Sequence, residues 1–386
     1  MDIYEIRVPG RVRFGAGCTD TIGDEAKRIG AKRALVVSDP GVFQAGMTDQ
    51  IKAKLVAAGL AVDVFSEAEP EPTYTKLNNT AKELRKNNYD LVVAVGGGSS
   101  IDTSKGLTLL FKHGGIGQDY GGTDKVPGPC VPLFACPTTA GTGSEVTNIA
   151  VFDDRERGFK EGVVSNYLFS RVAFVDPVLT YGCPAKVTAA SGMDALIHAI
   201  ESYTSNKTTT FSDPLALEAI RLIVGTGSLK RAVKNGMDKE AGKNMAEGSL
   251  FGGMSFMNSG CAAVHALAFV LGSRFHVAHG VANAVLLPYA TECNLPANYP
   301  RYAVVARALG VNTDGLSDKA AAEKGLDVMK ALAKEVGIPV RLRDLGVPQD
   351  ALESMAQATM SVTRLLNNNP KQLTLDDVRG IWKNAW

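Results

Sequence analysis

The chain contains 386 residues, and 45% of them are hydrophobic, which is enough to build more than one core. Its 41 Lys and Arg residues almost balance its 40 Asp and Glu residues, and no basic run is interleaved with aromatic residues. This composition excludes the charged surface of a nucleic-acid-binding or membrane-binding protein, so we expect a small-molecule partner.

The first half of the chain alternates short apolar strands with helices. We predict strands at RALVVSD (residues 33–39), AVDVFS (61–66) and YDLVVAV (89–95), and helices over about residues 47–58 and from about Thr75. This alternation is typical of parallel βαβ units, which bind ligands at the carboxyl ends of their strands. We therefore expect the functional residues to follow those strands.

A glycine cluster follows the third of these strands, in the sequence LVVAVGGGSSIDTSKG. Gly96, Gly97 and Gly98 let the backbone approach a phosphate closely, and Ser99 leads into a helix whose first N–H groups are unpaired. A tight strand-to-helix turn is the alternative interpretation, and the cluster is not a G-x-G-x-x-G fingerprint. Three consecutive glycines favour a site for a diphosphate.

A second loop, CPTTAGTGSEVTNIAVF, follows the predicted strand VPLFAC and is rich in hydroxyl groups. Its candidate donors to phosphate or ribose oxygens are Thr138, Thr139, Thr142 and Ser144. Asp39 ends an earlier strand, where its carboxylate can accept from an adenosine ribose hydroxyl and repel the extra phosphate of NADP. Together these features predict a bound dinucleotide and favour NAD.

From about Pro184 the apolar pattern becomes helical, after the hinge-like loop DPVLTYGCPAK. We therefore divide the chain into an α/β domain, residues 1–183, and an all-α domain, residues 184–386. Within the second domain we predict helices near residues 185–203, 214–233, 238–256, 320–336 and 374–386, the last one beginning with a capping box of Thr374 and Asp377.

The segment SGMDALIHAIESY places Asp194 and His198 four residues apart, close to the apolar face of a predicted helix. A hydrogen bond between the two is one interpretation, and half of a metal site is the other. Only five histidines occur in the chain, and His265 and His279 lie in the same helical half. If the chain turns between those two, all four side chains can converge on iron(II) or zinc.

The six cysteines and the amino-terminal sequence predict a soluble, cytoplasmic chain. The cysteines include no C-x-x-C pair, which is typical of reduced, buried thiols. MDIYEIRVPGRVRFG has no apolar core like that of a signal peptide, and no apolar run reaches the roughly 18 residues of a membrane span.

The motifs GGGSSID, PTTAGTGSEVTNIAVF, VAFVDPVLT, SGMDALIHAIESY and HGVANAVLLP occur in the order and at the spacing of one family. In these motifs the whole chain resembles the iron-containing (group III) alcohol dehydrogenases. The resemblance implies a Rossmann-like amino-terminal domain with a parallel sheet, an all-α carboxyl-terminal domain (a dehydroquinate synthase-like architecture), and an active-site cleft between them. It also implies a homodimer or larger homo-oligomer.

The resemblance assigns roles to individual residues. It implies that Asp194, His198, His265 and His279 are iron ligands, and that a small alcohol or aldehyde exchanges hydride with NAD(H) while the metal binds the substrate oxygen. The residues that it places at the cofactor are Gly97, Gly98, Ser99, Asp102, Thr138, Thr139, Thr142, Lys160 and Leu179.

Two departures from the family pattern concern catalysis and the cofactor. Phe269 occupies a position where many members carry a further histidine that is proposed to move the hydroxyl proton, so His276 is a candidate replacement, with Asp102 as a second candidate catalytic residue. Glu71 occupies a position where asparagine is common.

Alternative functions remain open. Arg274 could hold the carboxylate or sulfonate of an anionic aldehyde, and a maleylacetate-like reduction is a related option. The same fold also supports a non-redox lyase or a non-catalytic assembly protein.

Overall fold

A computed structural model describes residues 3–386. They form two compact units: the first spans Val8–Tyr181, and the second spans Gly182–Trp386 together with residues 3–7. The first unit combines β-sheets with helices, whereas the second shows helices and no strand among its described residues. The predicted combination of an α/β fold and an all-α half is therefore confirmed.

A parallel sheet forms the centre of the first unit. Its strand order is β1-β9-β6-β4-β2-β3, and all its neighbouring strands run parallel. The strands are β1 (Val12–Phe14), β2 (Arg33–Val37), β3 (Ala61–Phe65), β4 (Leu91–Gly96), β6 (Leu133–Pro137) and β9 (Val172–Val175).

Helices cover both faces of this sheet: α1 (Ile22–Arg28), α2 (Pro40–Gln44), α3 (Met47–Ala57), α4 (Tyr74–Leu84) and α5 (Gly98–His113). Side chains of β4 point alternately to the two faces, so Val92 and Ala94 join one apolar cluster while Val93 and Val95 join the other. Both clusters are fully buried, which explains why these strands are continuously apolar instead of alternating with polar residues.

A smaller sheet in the first unit was not predicted from the sequence. It pairs β7 (Ile149–Asp154) with β8 (Phe159–Val164) in antiparallel register, and β5 (Gly122–Thr123) runs parallel to β8. β7 alternates buried and half-buried residues, as expected of a strand with one covered face. This sheet directly follows the loop that is rich in hydroxyl groups.

The second unit consists of α6 (Ala185–Thr204), α7 (Ser212–Ile220), α8 (Ser228–Lys234), α9 (Lys239–Ser259), α10 (Ala263–Phe275), α11 (His279–Asn294), α12 (Tyr299–Ala308), α13 (Asp318–Glu335), α14 (Leu352–Met360), α15 (Thr363–Leu366) and α16 (Leu375–Ala385). Four of the five predicted helices correspond to α6, α9, α13 and α16. The reciprocal capping box at Thr374 and Asp377 is confirmed.

The helix predicted over residues 214–233 was wrong as a single element. The chain there passes from α7 through the π-helical turn Arg221–Gly225 and restarts as α8 after Gly227. Gly227 has a φ of 70°, which glycine adopts without the penalty of a Cβ atom. Periodicity alone did not reveal this break, because apolar residues continue across it.

All six cysteines lie in the described part of the chain and are free; Cys136 and Cys261 are buried, as predicted, whereas the other four are half-buried. Within residues 3–386, no single helix is long and apolar enough to cross a membrane. The pair α9 and α10, which is bent by 102°, meets that test of length and composition only when both helices are taken together.

Candidate active site

The glycine cluster lies at the junction between the end of β4 and the start of α5. β4 ends at Gly96, Gly97 precedes the helix, and Gly98 is its first residue. A Cβ atom at Gly98 would lie 2.7 Å from Cγ2 of Thr142, and one at Gly97 would lie 3.3 Å from Oγ1 of Thr139. The glycines therefore allow the second loop to pack directly against the start of α5.

The two predicted nucleotide loops are thus neighbours in the structure. The backbone N–H of Thr138 donates to the carbonyl of Gly96 at 3.1 Å, which joins the ends of β6 and β4. The first N–H groups of α5 have no partner within the helix, and the hydroxyl groups of Thr139 and Thr142 lie beside them. This arrangement of donors suits the diphosphate of a dinucleotide.

Asp39 lies at the carboxyl end of β2, as predicted, but its carboxylate already has partners. Oδ1 accepts from the backbone N–H groups of Gly41 and Val42 and so caps α2, while Oδ2 accepts from Ser100 Oγ at 3.3 Å. The oxygen facing Ser100 also lies beside Gly96, where an added Cβ would come within 3.2 Å of it. This oxygen is the candidate acceptor for ribose.

Lys160 and Glu71 form an ion pair beside the glycine cluster. Lys160 Nζ lies 2.9 Å from Glu71 Oε1, and the backbone N–H of Glu71 donates to Ser99 Oγ at 3.2 Å. Glu71 has a φ of 53°, a left-handed conformation in which asparagine is favoured over glutamate. Leu179 is buried in the apolar cluster on one face of the main sheet.

In the second unit, α6 carries the paired Asp194 and His198 on its buried face. The side chain of Asp194 is 2% exposed and that of His198 is 6% exposed, and Asp194 Oδ2 lies 4.0 Å from His198 Nδ1. This distance is too long for the hydrogen bond of the simpler interpretation. The two side chains instead face a common space.

His265 and His279 reach the same space from α10 and α11. Nε2 of each lies 3.7 Å from Asp194 Oδ1. One ligand atom from each of Asp194, His265 and His279 lies within 4.8 Å of the other two, and the His198 ring stacks on His265 with centroids 4.6 Å apart. The structure therefore brings all four predicted residues together.

A turn between α10 and α11 makes this convergence possible, as predicted. α10 ends at Phe275, His276 adopts a left-handed conformation (φ 53°), and α11 begins at His279. A Cβ atom at Gly280 would lie only 2.7 Å from the carbonyl carbon of Ala190. Glycine at this position therefore lets the start of α11 approach the backbone of α6.

The four side chains fit a divalent cation. Nε2 of His265 is buried and has no hydrogen-bond partner among the described residues, although it faces Asp194. Its other ring nitrogen, Nδ1, lies 2.6 Å from Glu201 Oε2 and donates to it, which leaves Nε2 as the nitrogen that would bind a cation. One carboxylate and three imidazoles are the donors that iron(II) or zinc prefers.

The charges of this cluster are coupled. Burial on its own would raise the pKa of Asp194, but the nearby imidazoles of His198, His279 and His265 outweigh it and lower that pKa. Asp194 therefore remains a carboxylate in its buried position and supplies the negative charge that a bound cation needs.

Comparisons with known proteins agree with this geometry. Residues 9–177 match the family model for iron-containing alcohol dehydrogenase, and residues 188–386 match the model for the carboxyl-terminal part of the Fe-containing alcohol dehydrogenase family. The chain belongs to the iron-containing alcohol dehydrogenase family. Its enzyme class is therefore that of an alcohol dehydrogenase.

Individual relatives cover the whole chain. It is 41% identical to long-chain-alcohol dehydrogenase 1 of Geobacillus thermodenitrificans (strain NG80-2), over 100% of this chain and 98% of that protein. It is 37% identical to the NAD-dependent methanol dehydrogenase of Bacillus methanolicus, over 98% of each. The crystal structure of a 1,3-propanediol oxidoreductase superposes with a TM-score of 0.96, at 37% identity and with 100% of both chains covered.

In this alcohol dehydrogenase, Asp102 and Ser144 hydrogen-bond to each other. Ser144 Oγ donates to Asp102 Oδ1 at 2.6 Å, and Oδ2 of Asp102 accepts from the backbone N–H of Val151. Burial raises the pKa of Asp102, against the opposing effect of Lys105. Both residues thus fix the loop after β6 from within the protein.

Lys105 links the same loop to α5. Its fully buried Nζ donates to the backbone carbonyls of Ser144, Thr147 and Ile149 at 2.7 to 2.9 Å. Burial lowers the pKa of Lys105 to about 8, whereas Asp102 and Glu145 act in the opposite direction. No sequence pattern points to this lysine, because its role depends on a loop about 40 residues further along the chain.

Two residues beside the proposed ligands were also missed. Glu201 is buried and accepts from the backbone N–H groups of Ala262 and Val264 as well as from His265. Asn283 Nδ2 donates to Asp194 Oδ1 at 2.7 Å. Helical spacing offered a signal for both, since Glu201 lies three residues after His198 and Asn283 lies four residues after His279.

His276 and Arg274 are exposed, whereas Asp194, His198 and His265 are buried. His276 is exposed at the end of α10. Arg274 is exposed as well, and its guanidinium donates to Ser354 Oγ on α14 at 2.6 Å. Two aromatic side chains contact the proposed ligands: the Phe256 ring stacks on that of His198 at 4.2 Å, and the Phe269 ring lies 5.9 Å from that of His279.

Replacing Gly98 with alanine is expected to weaken NADH binding by about 10-fold or more. The new methyl group would displace Thr142 and its loop, and overpacking of this kind costs roughly 1 to 3 kcal/mol. Fluorescence titration with NADH measures the effect. Gly380→Ala is the matched control: it lies within α16, and the added methyl meets no atom within 4 Å beyond its chain neighbours and the nearby backbone of its own helix, so NADH affinity should not change. Equal NADH affinity of Gly98→Ala and the wild type would contradict the proposed loop contact.

Proposed function

We propose that this alcohol dehydrogenase transfers hydride reversibly between NAD(H) and a small alcohol or aldehyde, with a divalent cation held by Asp194, His198, His265 and His279. The observation that carries the proposal is the buried Nε2 of His265, which has no hydrogen-bond partner among the described residues and faces a carboxylate. Such an atom is costly to bury unless something binds it.

The proposed cation is iron(II), with zinc as the alternative. When bound, the cation polarises the substrate oxygen and the nicotinamide takes or gives the hydride. Asp194 offsets the positive charge, and Asn283 holds the carboxylate through a hydrogen bond of 2.7 Å. Glu201 orients the ring of His265 so that Nε2 faces the site.

The loops of the first unit are the proposed site for NAD. Gly96, Gly97, Gly98 and Ser99 provide the start of α5 for the diphosphate, and the second loop adds the hydroxyl groups of Thr138, Thr139 and Thr142. The proposed set is completed by Asp39, Asp102, Ser144, Lys160 and Leu179. The carboxylate of Asp39 supports NAD over NADP, since it would repel an added phosphate.

The apolar surroundings of the proposed ligands favour a substrate with an uncharged carbon chain. Phe256 and Phe269 contact two of the ligand histidines and pack against an apolar cluster that includes Leu365. Removing such a chain from water stabilises binding by about 0.8 kcal/mol per CH₂ group.

A proton path through His276 or Asp102 remains a prediction. A homodimer or larger homo-oligomer and a cytoplasmic location also remain predictions.

The function is tested by following NADH oxidation by chelator-stripped protein, before and after reloading with iron(II) or zinc, with a panel of short aldehydes. Neutral unbranched aldehydes should be reduced only after reloading. Full activity of the stripped protein would contradict the role of the cation. A complete lack of activity in every combination, with NADH still bound, would favour the lyase or assembly functions.

The substitution Arg274→Ala tests the anionic alternative. Because the Arg274 guanidinium donates to Ser354, we expect the Michaelis constants for carboxylate- and sulfonate-bearing aldehydes to change less than about twofold. Ser354→Ala, which removes only the partner, is the matched control. A selective rise of roughly 10-fold or more for the anionic aldehydes in Arg274→Ala would instead assign Arg274 to an anionic substrate.

A further inference from the structure

Cys261 lies beside the proposed cation ligands. It lies two residues before the first residue of α10 and is only 7% exposed. One ligand atom from each of His198, Cys261 and His265 lies within 4.8 Å of the other two, and all three residues are buried. The sequence alone predicted a reduced, buried thiol at this position rather than a zinc ligand.

We propose that His198, Cys261 and His265 form a second cation position, which takes a thiophilic divalent cation such as zinc. This second position rests on the proposed function in one respect, because it shares His198 and His265 with the four-residue position described above. The two positions therefore exclude each other. A cation at Cys261 withdraws His198 and His265 from Asp194 and His279.

The donor types support this assignment. Sulfur is a softer donor than a carboxylate oxygen, so exchanging Asp194 for Cys261 shifts the preference away from iron(II) towards zinc. Zinc binds sulfur at about 2.3 Å and imidazole nitrogen at about 2.0 Å, so donors on one tetrahedral ion lie roughly 3.3 to 3.5 Å apart. Side-chain rotations of modest size bring the three atoms to that separation from their present 4.8 Å or less.

The backbone around the thiol is fixed, which favours a preformed position. The carbonyl of Cys261 accepts from Asn368 Nδ2 at 2.8 Å, and the next N–H, that of Ala262, donates to Glu201 at 2.9 Å. The rings of His198 and His265 are nearly parallel, at 23°. Binding breaks the S–H bond, forms a sulfur–cation bond and releases the proton to solvent.

Cobalt(II) tests the proposal, because it adopts zinc-like sites and absorbs strongly in the near ultraviolet when a thiolate binds it. Chelator-stripped wild-type protein is titrated with cobalt(II) and compared with Cys261→Ser and with the matched control Cys130→Ser, whose cysteine lies in the first unit. Circular dichroism confirms folding. Zinc affinity is measured in parallel by competition with a chromophoric chelator.

We expect the thiolate band in the wild type and in Cys130→Ser, its loss in Cys261→Ser, and a rise of about 10-fold or more in the zinc dissociation constant of Cys261→Ser. Cobalt(II) that binds the wild type without this band, or a band that persists in Cys261→Ser, would overturn the second position but leave the proposed function intact. Failure of the folded wild type to bind any cobalt(II) or zinc would overturn both.

Discussion

Replacing Asp194 with asparagine is expected to lower kcat/KM by on the order of 10³-fold or more and to leave the purified protein poor in iron. The carboxylate is buried among three imidazoles, and its Oδ1 lies 3.7 Å from both His265 Nε2 and His279 Nε2. Lewis-acid stabilisation is worth several kcal/mol, and about 4 kcal/mol corresponds to roughly 10³-fold in rate. Metal analysis and steady-state kinetics with a neutral aldehyde measure the two effects.

Asp327→Asn is the matched control for this substitution. Asp327 lies on α13 and is exposed, so both metal content and activity should equal those of the wild type. An Asp194→Asn protein that retains both its metal and its activity would show that the carboxylate is not a ligand, and would leave the cluster as a buried hydrogen-bonding network.

Replacing Glu201 with glutamine is expected to weaken metal binding by about 10- to 100-fold while the protein remains folded. Glu201 accepts from His265 Nδ1 at 2.6 Å, and glutamine replaces one accepting oxygen with an amide that donates. The one oxygen that still accepts carries no charge and is shared with backbone N–H groups, so the imidazole is held less firmly with Nε2 directed at Asp194. Losses of this size are typical when the carboxylate partner of a metal-binding histidine is changed. Competition with a chelator gives the dissociation constant.

Thermal unfolding separates this effect from general damage, since Glu201 also accepts the backbone N–H groups of Ala262 and Val264 at the start of α10. The exposed Glu323 on α13 provides the control Glu323→Gln, for which the metal dissociation constant should not change. If Glu201→Gln lowers the melting temperature but binds metal as tightly as the wild type, Glu201 is only a helix cap.

Much of the fold could be predicted from the sequence wherever the apolar residues follow a single clear periodicity, either that of a strand or that of a helix. The apolar strand at residues 91–96 and the helix of Asp194 and His198 each have a clear apolar pattern, and both are found. Their convergence with His265 and His279 followed from the small number of histidines and from the non-helical sequence between them. The break in the helix at Gly227 was not predicted, because apolar residues continue on both sides of it.

Contacts between distant segments could not be predicted in the same way. Lys105 meets backbone carbonyls near residues 144–149, and Glu201 meets N–H groups at residues 262–264, so their roles appear only once the chain has folded. Asp39 is the opposite case, because the sequence indicated a role for its side chain and the structure shows an additional local contact. Its position at a strand end suggested a free carboxylate, but one oxygen caps α2, because an aspartate that precedes a proline is also a favourable helix start.

The most direct test of the central claim is anomalous diffraction at the iron absorption edge from crystals of protein reloaded with iron(II). The account predicts one strong anomalous peak, about 2 Å from a carboxylate oxygen of Asp194 and from a ring nitrogen of each of His198, His265 and His279. A fully loaded crystal whose iron peak lies elsewhere, with these four side chains still making only the contacts described above, would contradict it.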